Sequence, residues 1–318
     1  MKKIAPLFFL LILSFSVNAQ DVPLAKLLEM AEKSTQKYIE SFKNLIAEET
    51  KTIEIFKKDQ SLDDRRVVKS DFIVYQLQKG TRVSEFRTVY EYNGRKISQS
   101  DEYTGKFFEK LAKSNNANEE FKKLRKESVR FDGNFIVWGM TLRKDFLLLP
   151  QVREIFDYKI IGQEKFNERN VYVVEYRQKE YSSYVLVNPT KLEGSKDGNG
   201  FQFDSILSEK LLPTNPRLNG IMWLDAENGE MWKNKYEVSI QPAILDKPIV
   251  TNESYYEYQP SRFGIAVPKV ITITSYRTFG APGKDLTVSK FATTVLSYSN
   301  FSELNSEAKD YKVDNDKN

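Results

Sequence analysis

The side chains able to carry a reaction in this 318-residue chain are carboxylates, hydroxyls and lysines, because it contains no histidine and no cysteine. That absence removes Ser-His-Asp hydrolysis, cysteine nucleophiles, histidine general bases and the common zinc, copper and haem sites. Ser34-Thr35-Gln36-Lys37 matches the S-x-x-K element of Ser/Lys hydrolases. No S-D-N or K-T-G accompanies it, and Thr35 sits in the middle of an apolar helical stripe. Neighbouring carboxylates occur at Glu48/Glu49, Asp63/Asp64 and Glu119/Glu120. A glycosidase needs two carboxyl groups a few ångströms apart, but adjacent acids on a solvated surface are much commoner. Asp197-Gly198-Asn199-Gly200 starts like a calcium loop, yet Phe201 stands where the third oxygen ligand belongs and the distal Glu is missing. There is no P-loop and no dinucleotide-binding glycine pattern. The expectation is a binding protein without metal or cofactor, with a histidine-free glycan hydrolase as the residual catalytic reading.

Sheet must position most of these residues. The strongest local signal is residues 219–240, NGIMWLDAENGEMWKNKYEVSI. Two apolar runs flank Asn228-Gly229 and predict a type I′ hairpin, whose central residues both take positive φ. That register sets Asp225 opposite Trp232, Trp223 opposite Asn234 and Ile221 opposite Tyr236. It puts Trp232, Tyr236, Val238 and Ile240 on one face and Lys233, Lys235, Glu237 and Ser239 on the other. Asn93-Gly94 predicts a second hairpin, with Tyr90 paired to Ile97. Further strands are read at 49–57, 67–78, 153–160, 171–176, 184–187, 255–258, 271–274 and 286–298. Two amphipathic helices are predicted. The first spans 24–46, with Asp21 as its cap and Pro23 in its first turn, and carries Leu24, Leu28, Ala31, Thr35, Tyr38, Phe42 and Leu45 along one face. Leu27, Ile39 and Ile46 widen that stripe. The second spans 134–149, carries Phe135, Trp138, Leu142, Phe146 and Leu149, and is stopped by Pro150. Residues 101–130 read as helical fragments around a loop, and 192–219 as the longest loop.

The opening MKKIAPLFFLLILSFSVNAQ has a positive start, an apolar core and the small-residue exit Val17-Asn18-Ala19. It reads as a signal peptide of residues 1–19, cleaved between Ala19 and Gln20. With no cysteine, no lipid-modified cysteine can follow the signal. Loss of Lys2 and Lys3, with no acid, lowers the net charge from +4 to +2. Such a balance gives no argument for a nucleic-acid partner. The remainder reads as one domain, 20–304, followed by a polar tail, 305–318.

Several segments, in order, carry a resemblance: the first helix running into IAEET; KSDFIVYQL followed by FRTVYEYNGRKI; IFDYKIIG and VYVVEYR; GIMWLDAENGEMWKNKYEV; and the closing VLSYSNFSEL. Together they resemble a family of exported bacterial proteins. Over residues 153–304 the chain also resembles the LolA/LolB-like lipoprotein-carrier superfamily, in which a W-L-D…G strand pair and a terminal Y-S-N-F strand recur. The resemblance implies an α+β fold: a strongly curved antiparallel β-sheet, an incomplete barrel, covered on its concave face by amphipathic helices. It also implies a periplasmic protein that binds a lipid or acyl chain, or a lipidated protein, between sheet and helices. The lining expected there is Trp138, Leu142 and Phe146 from the second helix, with Trp223, Trp232 and Tyr236 from the sheet. The other reading of the same residues is a solid core in a cell-envelope interaction protein that binds another protein through sheet edges and the long loop.

Overall fold

The structure is a computed structural model that describes residues 23–42, 44–76, 83–97, 123, 126–133, 146–182, 184–187, 201–203, 216–242, 247–281 and 284–303. The signal-cleavage pair Ala19 and Gln20, the site residues Trp138 and Leu142, and Glu119/Glu120 and Asp197–Gly200 lie outside the described residues.

The chain opens with helix α1 (Leu24–Ser41), which buries Leu27, Ala31, Thr35 and Tyr38. The predicted stripe is therefore right in period but centred on Leu27 rather than Leu24 and Leu28, and Ile39 is exposed. Pro23 is the N-cap, and no side chain caps the helix. The helix also ends sooner than its apolar stripe suggests. Its C-cap is Phe42, whose backbone leaves the helical region (φ -89°, ψ 63°); Asn44 then takes a left-handed conformation (φ 56°), and Leu45 and Ile46 become the first residues of a strand.

Thirteen strands follow among the described residues: β1 (Leu45–Phe56), β2 (Leu62–Gln76), β3 (Val83–Tyr92), β4 (Arg95–Lys96), β5 (Phe156–Phe166), β6 (Arg169–Gln178), β7 (Val185–Val187), β8 (Phe201–Phe203), β9 (Pro216–Asp225), β10 (Met231–Ile240), β11 (Ile249–Pro260), β12 (Ala266–Ala281) and β13 (Lys284–Glu303). Eleven of them form one open sheet in the order β4-β3-β2-β1-β13-β12-β11-β10-β9-β6-β5. Every pair in it is antiparallel. β7 and β8 pair in parallel as a separate small sheet, and β9 begins at Pro216, inside the segment expected to be loop. The 3-10 turn Phe146–Leu148 leads into a four-residue helix, Pro150–Arg153. Pro150 sits in the first turn of that short helix, where its missing N–H costs nothing; residues 134–145 of the second predicted helix lie outside the described residues.

The long-range join is between the first and last strands. β1 lies against β13 from Leu45↔Glu303 to Ile55↔Ala292. At Tyr298-Ser299-Asn300-Phe301 the pairing shifts, and Asn300 takes φ 55°. That bulge lets Tyr298 and Phe301 approach the same interior. Their rings are 6.3 Å apart, Tyr298 meets Phe72 at 5.2 Å, and Phe301 meets Phe42 at the end of α1 at 6.1 Å. One contiguous core joins α1 (Leu27, Ala31, Tyr38) to residues from β1, β2, β6, β9, β10, β11, β12 and β13.

The two Asn-Gly turns differ. Asn93 (φ 49°) and Gly94 (φ 77°) both adopt the left-handed region, as a type I′ turn demands. The amide of Ile97 donates to the carbonyl of Tyr90 at 2.8 Å. At the β9–β10 turn only Gly229 is left-handed (φ 72°). The Asp225 carboxylate accepts from the amides of Glu227 (2.9 Å) and Asn228 (3.4 Å), and the Gly229 amide donates to the Asp225 carbonyl at 2.9 Å. This aspartate-centred turn lengthens the loop and leaves a bulge between Met231 and Lys233. The expected register is corrected by one residue: Trp223 faces Lys233, Ile221 faces Lys235 and Gly220 faces Tyr236.

Candidate functional site

Two clusters of contacts surround the sheet residues expected from sequence, and Trp232 and Tyr236 both belong to the one contiguous core, with Trp223 packed against it. Trp223 and Trp232 meet around Phe166 and Lys233. The Lys233 ammonium lies 4.0 Å from the Phe166 ring centre and 5.7 Å from that of Trp223, and the Phe166 and Trp232 rings are 6.4 Å apart. Trp232 is pinned: its indole N–H donates to Asp225 at 3.1 Å, and the Arg169 guanidinium stacks on it at 4.9 Å while reaching Asp225 at 3.3 Å. These contacts hold the hairpin's base together. Phe146 opens the 3-10 turn before Pro150.

Tyr236 belongs to the second cluster, on the face that buries Val238 and Ile240. Its ring stacks on Tyr256 of β11 with centroids 5.8 Å apart, and the two hydroxyls are 3.2 Å apart. Its cross-strand neighbour is Gly220, where an added Cβ would lie 2.5 Å from the Tyr176 hydroxyl. Glycine therefore makes room for Tyr176, whose hydroxyl donates to Asn234 at 2.8 Å. Burial pushes the Tyr236 hydroxyl's pKa up, and that of Tyr256 well up. These tyrosines stay neutral hydrogen-bonding groups at any ordinary pH.

The same interior holds charges that sequence reading did not place there. β1 alternates Leu45, Ala47, Glu49, Lys51 and Ile53 inward, so Glu49 and Lys51 are buried to 1% exposure. The Glu49 carboxylate is gripped by Arg87 Nε at 2.7 Å and 3.0 Å, and Lys51 binds Asp132 at 2.8 Å and 2.9 Å. Arg87 also stacks over Phe72 at 5.0 Å. Burial alone would raise the Glu49 pKa, but the Arg87 and Lys51 charges outweigh it and hold the carboxyl below its usual value. Burial and then the nearby Arg87 charge lower the Lys51 pKa. Burial would likewise lower Arg87, but Glu49 overrides it and keeps the guanidinium fully charged. The in-phase spacing of Glu49, Lys51 and Ile53 was the only signal for this arrangement.

The candidate catalytic pairs come apart. Glu48 takes the other face of β1, where the Ser299 hydroxyl reaches it at 3.4 Å, while Glu49 points inward. Asp63 pairs with Lys57 at 3.9 Å and Asp64 with Arg66 at 2.7 Å. Adjacent residues of a strand point to opposite faces, so neither pair can flank one bond. A pocket of ≈ 370 Å³ is lined by Tyr176, Tyr236, Glu175, Arg177, Lys235 and Glu253, among others. Its charges are mixed, and Arg177 is engaged by Glu175 at 2.7 Å. Among the described residues no group of three or more acids gathers as a metal site.

No family model and no curated protein sequence matches the chain. Solved structures do share a distant likeness to it. LolA superfamily protein NE2245 from Nitrosomonas europaea is 11% identical, with 89% of this chain and 94% of that one covered and a TM-score of 0.32. A putative outer membrane lipoprotein-sorting protein domain from Vibrio parahaemolyticus is 11% identical, with coverage of 86% and 91% and a TM-score of 0.31. A DUF1329 family protein from Desulfovibrio piger is also 11% identical, with coverage of 87% and 92% and a TM-score of 0.30.

Proposed function

We infer that this chain is an exported binding protein that takes up a lipid or acyl chain between the sheet and its helices. Residues 1–19 are its leader, removed between Ala19 and Gln20, and residues 20–304 form one domain working in the periplasm. The sheet curves into an incomplete barrel whose concave face the helices cover. Tyr236 and Tyr256 line it from the sheet, and Trp138, Leu142 and Phe146 line it from the segment before Pro150. Trp223 and Trp232 anchor the neighbouring hairpin. The driving force is physical: each CH₂ taken out of water contributes about 0.8 kcal/mol, and displacement of a helix admits or releases the guest.

The observation that carries this reading is unmatched polarity inside an aromatic interior. Thr35 Oγ1, on the buried face of α1, and Arg87 Nη2, on the sheet, are enclosed with no hydrogen-bond partner among the described residues. A solid core leaves few such atoms, whereas a space that receives an amphiphile or water groups them with apolar walls. The test is to export and purify residues 20–318 without detergent and run mass spectrometry on an organic extract. A single lipid at near-equimolar amount is the expected result. A clean extract from folded, monodisperse protein sinks the reading.

A second reading rests on strand β5. It ends the sheet, and its Ile161 is 48% exposed at a bulge. Such an edge can accept a strand from a protein partner. A stoichiometric protein recovered from envelope extracts by wild type, and lost with Ile161→Lys, is the result this reading requires.

A further inference from the structure

Where the turn between β1 and β2 meets the far end of the β12–β13 hairpin, cations and aromatic rings interleave. Lys290 lies 3.8 Å above the Phe56 ring, Lys58 lies 5.5 Å above Phe279, and Arg277 sits between Phe279 (4.4 Å) and Phe291 (4.6 Å). Two hydrogen bonds tie the turn to the hairpin: Arg277 to the Phe56 carbonyl (3.4 Å) and Gln60 to the Lys290 carbonyl (3.3 Å). Lys57 and Lys58 are exposed here. The local carboxylates are already engaged, since Asp59 accepts from the Ser61 hydroxyl and amide and Asp63 faces Lys57. Around this turn the cations Lys57, Lys58, Arg277 and Lys290 outnumber the acids Asp59 and Asp63, which leaves this end basic. It is also where large apolar side chains protrude. Leu62, paired with Phe56, is 49% exposed, and Val288, two residues before Lys290, is 43% exposed.

We propose that this end of the sheet docks on an anionic membrane surface, with Leu62 and Val288 entering the interface and Lys57, Lys58 and Lys290 facing the lipid headgroups. Protruding aliphatic side chains ringed by lysines and half-buried aromatic rings match the layered polarity of a bilayer interface, where apolar tips seek the acyl boundary and the cations the headgroups. A folded protein partner would call for carboxylates placed opposite each cation, whereas a membrane supplies diffuse negative charge and an apolar layer together. Each lysine brought to an anionic surface strengthens partition by about fivefold. The whole-chain charge balance conceals this patch because the cations are gathered at one end. Docking of this kind is independent of whether the interior carries a lipid.

The test is co-sedimentation of residues 20–318 with vesicles of phosphatidylcholine alone and of phosphatidylcholine mixed with phosphatidylglycerol. Wild type should bind the mixed vesicles, weaken with added salt and leave the neutral vesicles. Lys57→Glu with Lys58→Glu should lower binding by about tenfold or more, and Leu62→Asp with Val288→Asp should lower it at unchanged charge on the lysines. All four positions are exposed, so thermal unfolding should stay near wild type. Lys165→Glu, on the distant edge strand β5, is the control and should lower binding far less. Absence of binding to mixed vesicles overturns the proposal. So does wild-type binding by either double variant, or a loss with Lys165→Glu as large as that with the lysine pair.

Discussion

Gly229 is where the hairpin touches the helix, and Gly229→Ala measures that contact. Two separate effects are expected. A residue with a Cβ held at φ 72° costs about 1 kcal/mol for the left-handed conformation. The second effect is steric. The new Cβ would press on the Ala31 nitrogen of α1 and lie 2.5 Å from the Met30 carbonyl carbon and 2.8 Å from the Ala31 Cα. Both are backbone atoms that no side-chain rotation can clear, so α1 must shift. Overpacking of this kind costs a further 1–3 kcal/mol or so, for a total of about 2–4 kcal/mol. Gly94→Ala is the matched control, because Gly94 has φ 77° with nothing within 4 Å of its added Cβ. It should lose only the conformational part, about 1 kcal/mol. Urea unfolding of residues 20–318 gives both values. Hydrogen exchange adds a local reading, since the amides around Leu27–Tyr38 should exchange faster in Gly229→Ala and not in Gly94→Ala. Equal destabilisation by the two substitutions, within about 0.5 kcal/mol, would refute the claim that the turn bears on α1.

The buried ion pair sets a second expectation. Lys51→Met leaves Asp132 charged and enclosed at 3% side-chain exposure, and should cost about 3–5 kcal/mol in urea unfolding. Adding Asp132→Leu should recover much of that loss, and an unchanged midpoint in Lys51→Met would mean that water reaches the pair. Lys33→Ala, which breaks the solvent-exposed pair with Glu29, should leave the midpoint where it is. The acid limb of stability gives a third expectation. Because the folded Glu49 carboxyl sits below 4.5, its usual value, the unfolded chain takes up a proton there first. Its contribution to stability is therefore complete above about pH 4.5 and is lost as pH falls toward the folded value. Glu49→Gln should be less stable at neutral pH, with Arg87 left only its 3.9 Å ion pair with Glu85 among the described residues, and should show a shallower fall between neutral and acid pH. A parallel acid limb in the variant would assign the fall to other carboxylates.

The sequence by itself determined what is local. Alternation located most strands, a 3.6-residue period found α1, and Asn93-Gly94 specified a turn that needs two left-handed residues in a row. Composition alone removed histidine and cysteine chemistry. What only the tertiary structure decided depends on competition or distance. Asp225 captures the amides of Glu227 and Asn228, and this local bond overrode the Asn-Gly turn preference and moved the register by one residue, setting Trp223 opposite Lys233. The helix ended at Ser41 while its apolar stripe still ran, because Leu45 and Ile46 were taken into strand β1 against β2 and β13. The pairing of β1 with β13 spans nearly the whole chain, and no local pattern encodes which distant strand is a neighbour. That pairing, with β2 and β3 alongside, made Glu49 and Lys51 the polar centre of the interior, where Arg87 and Asp132 meet them.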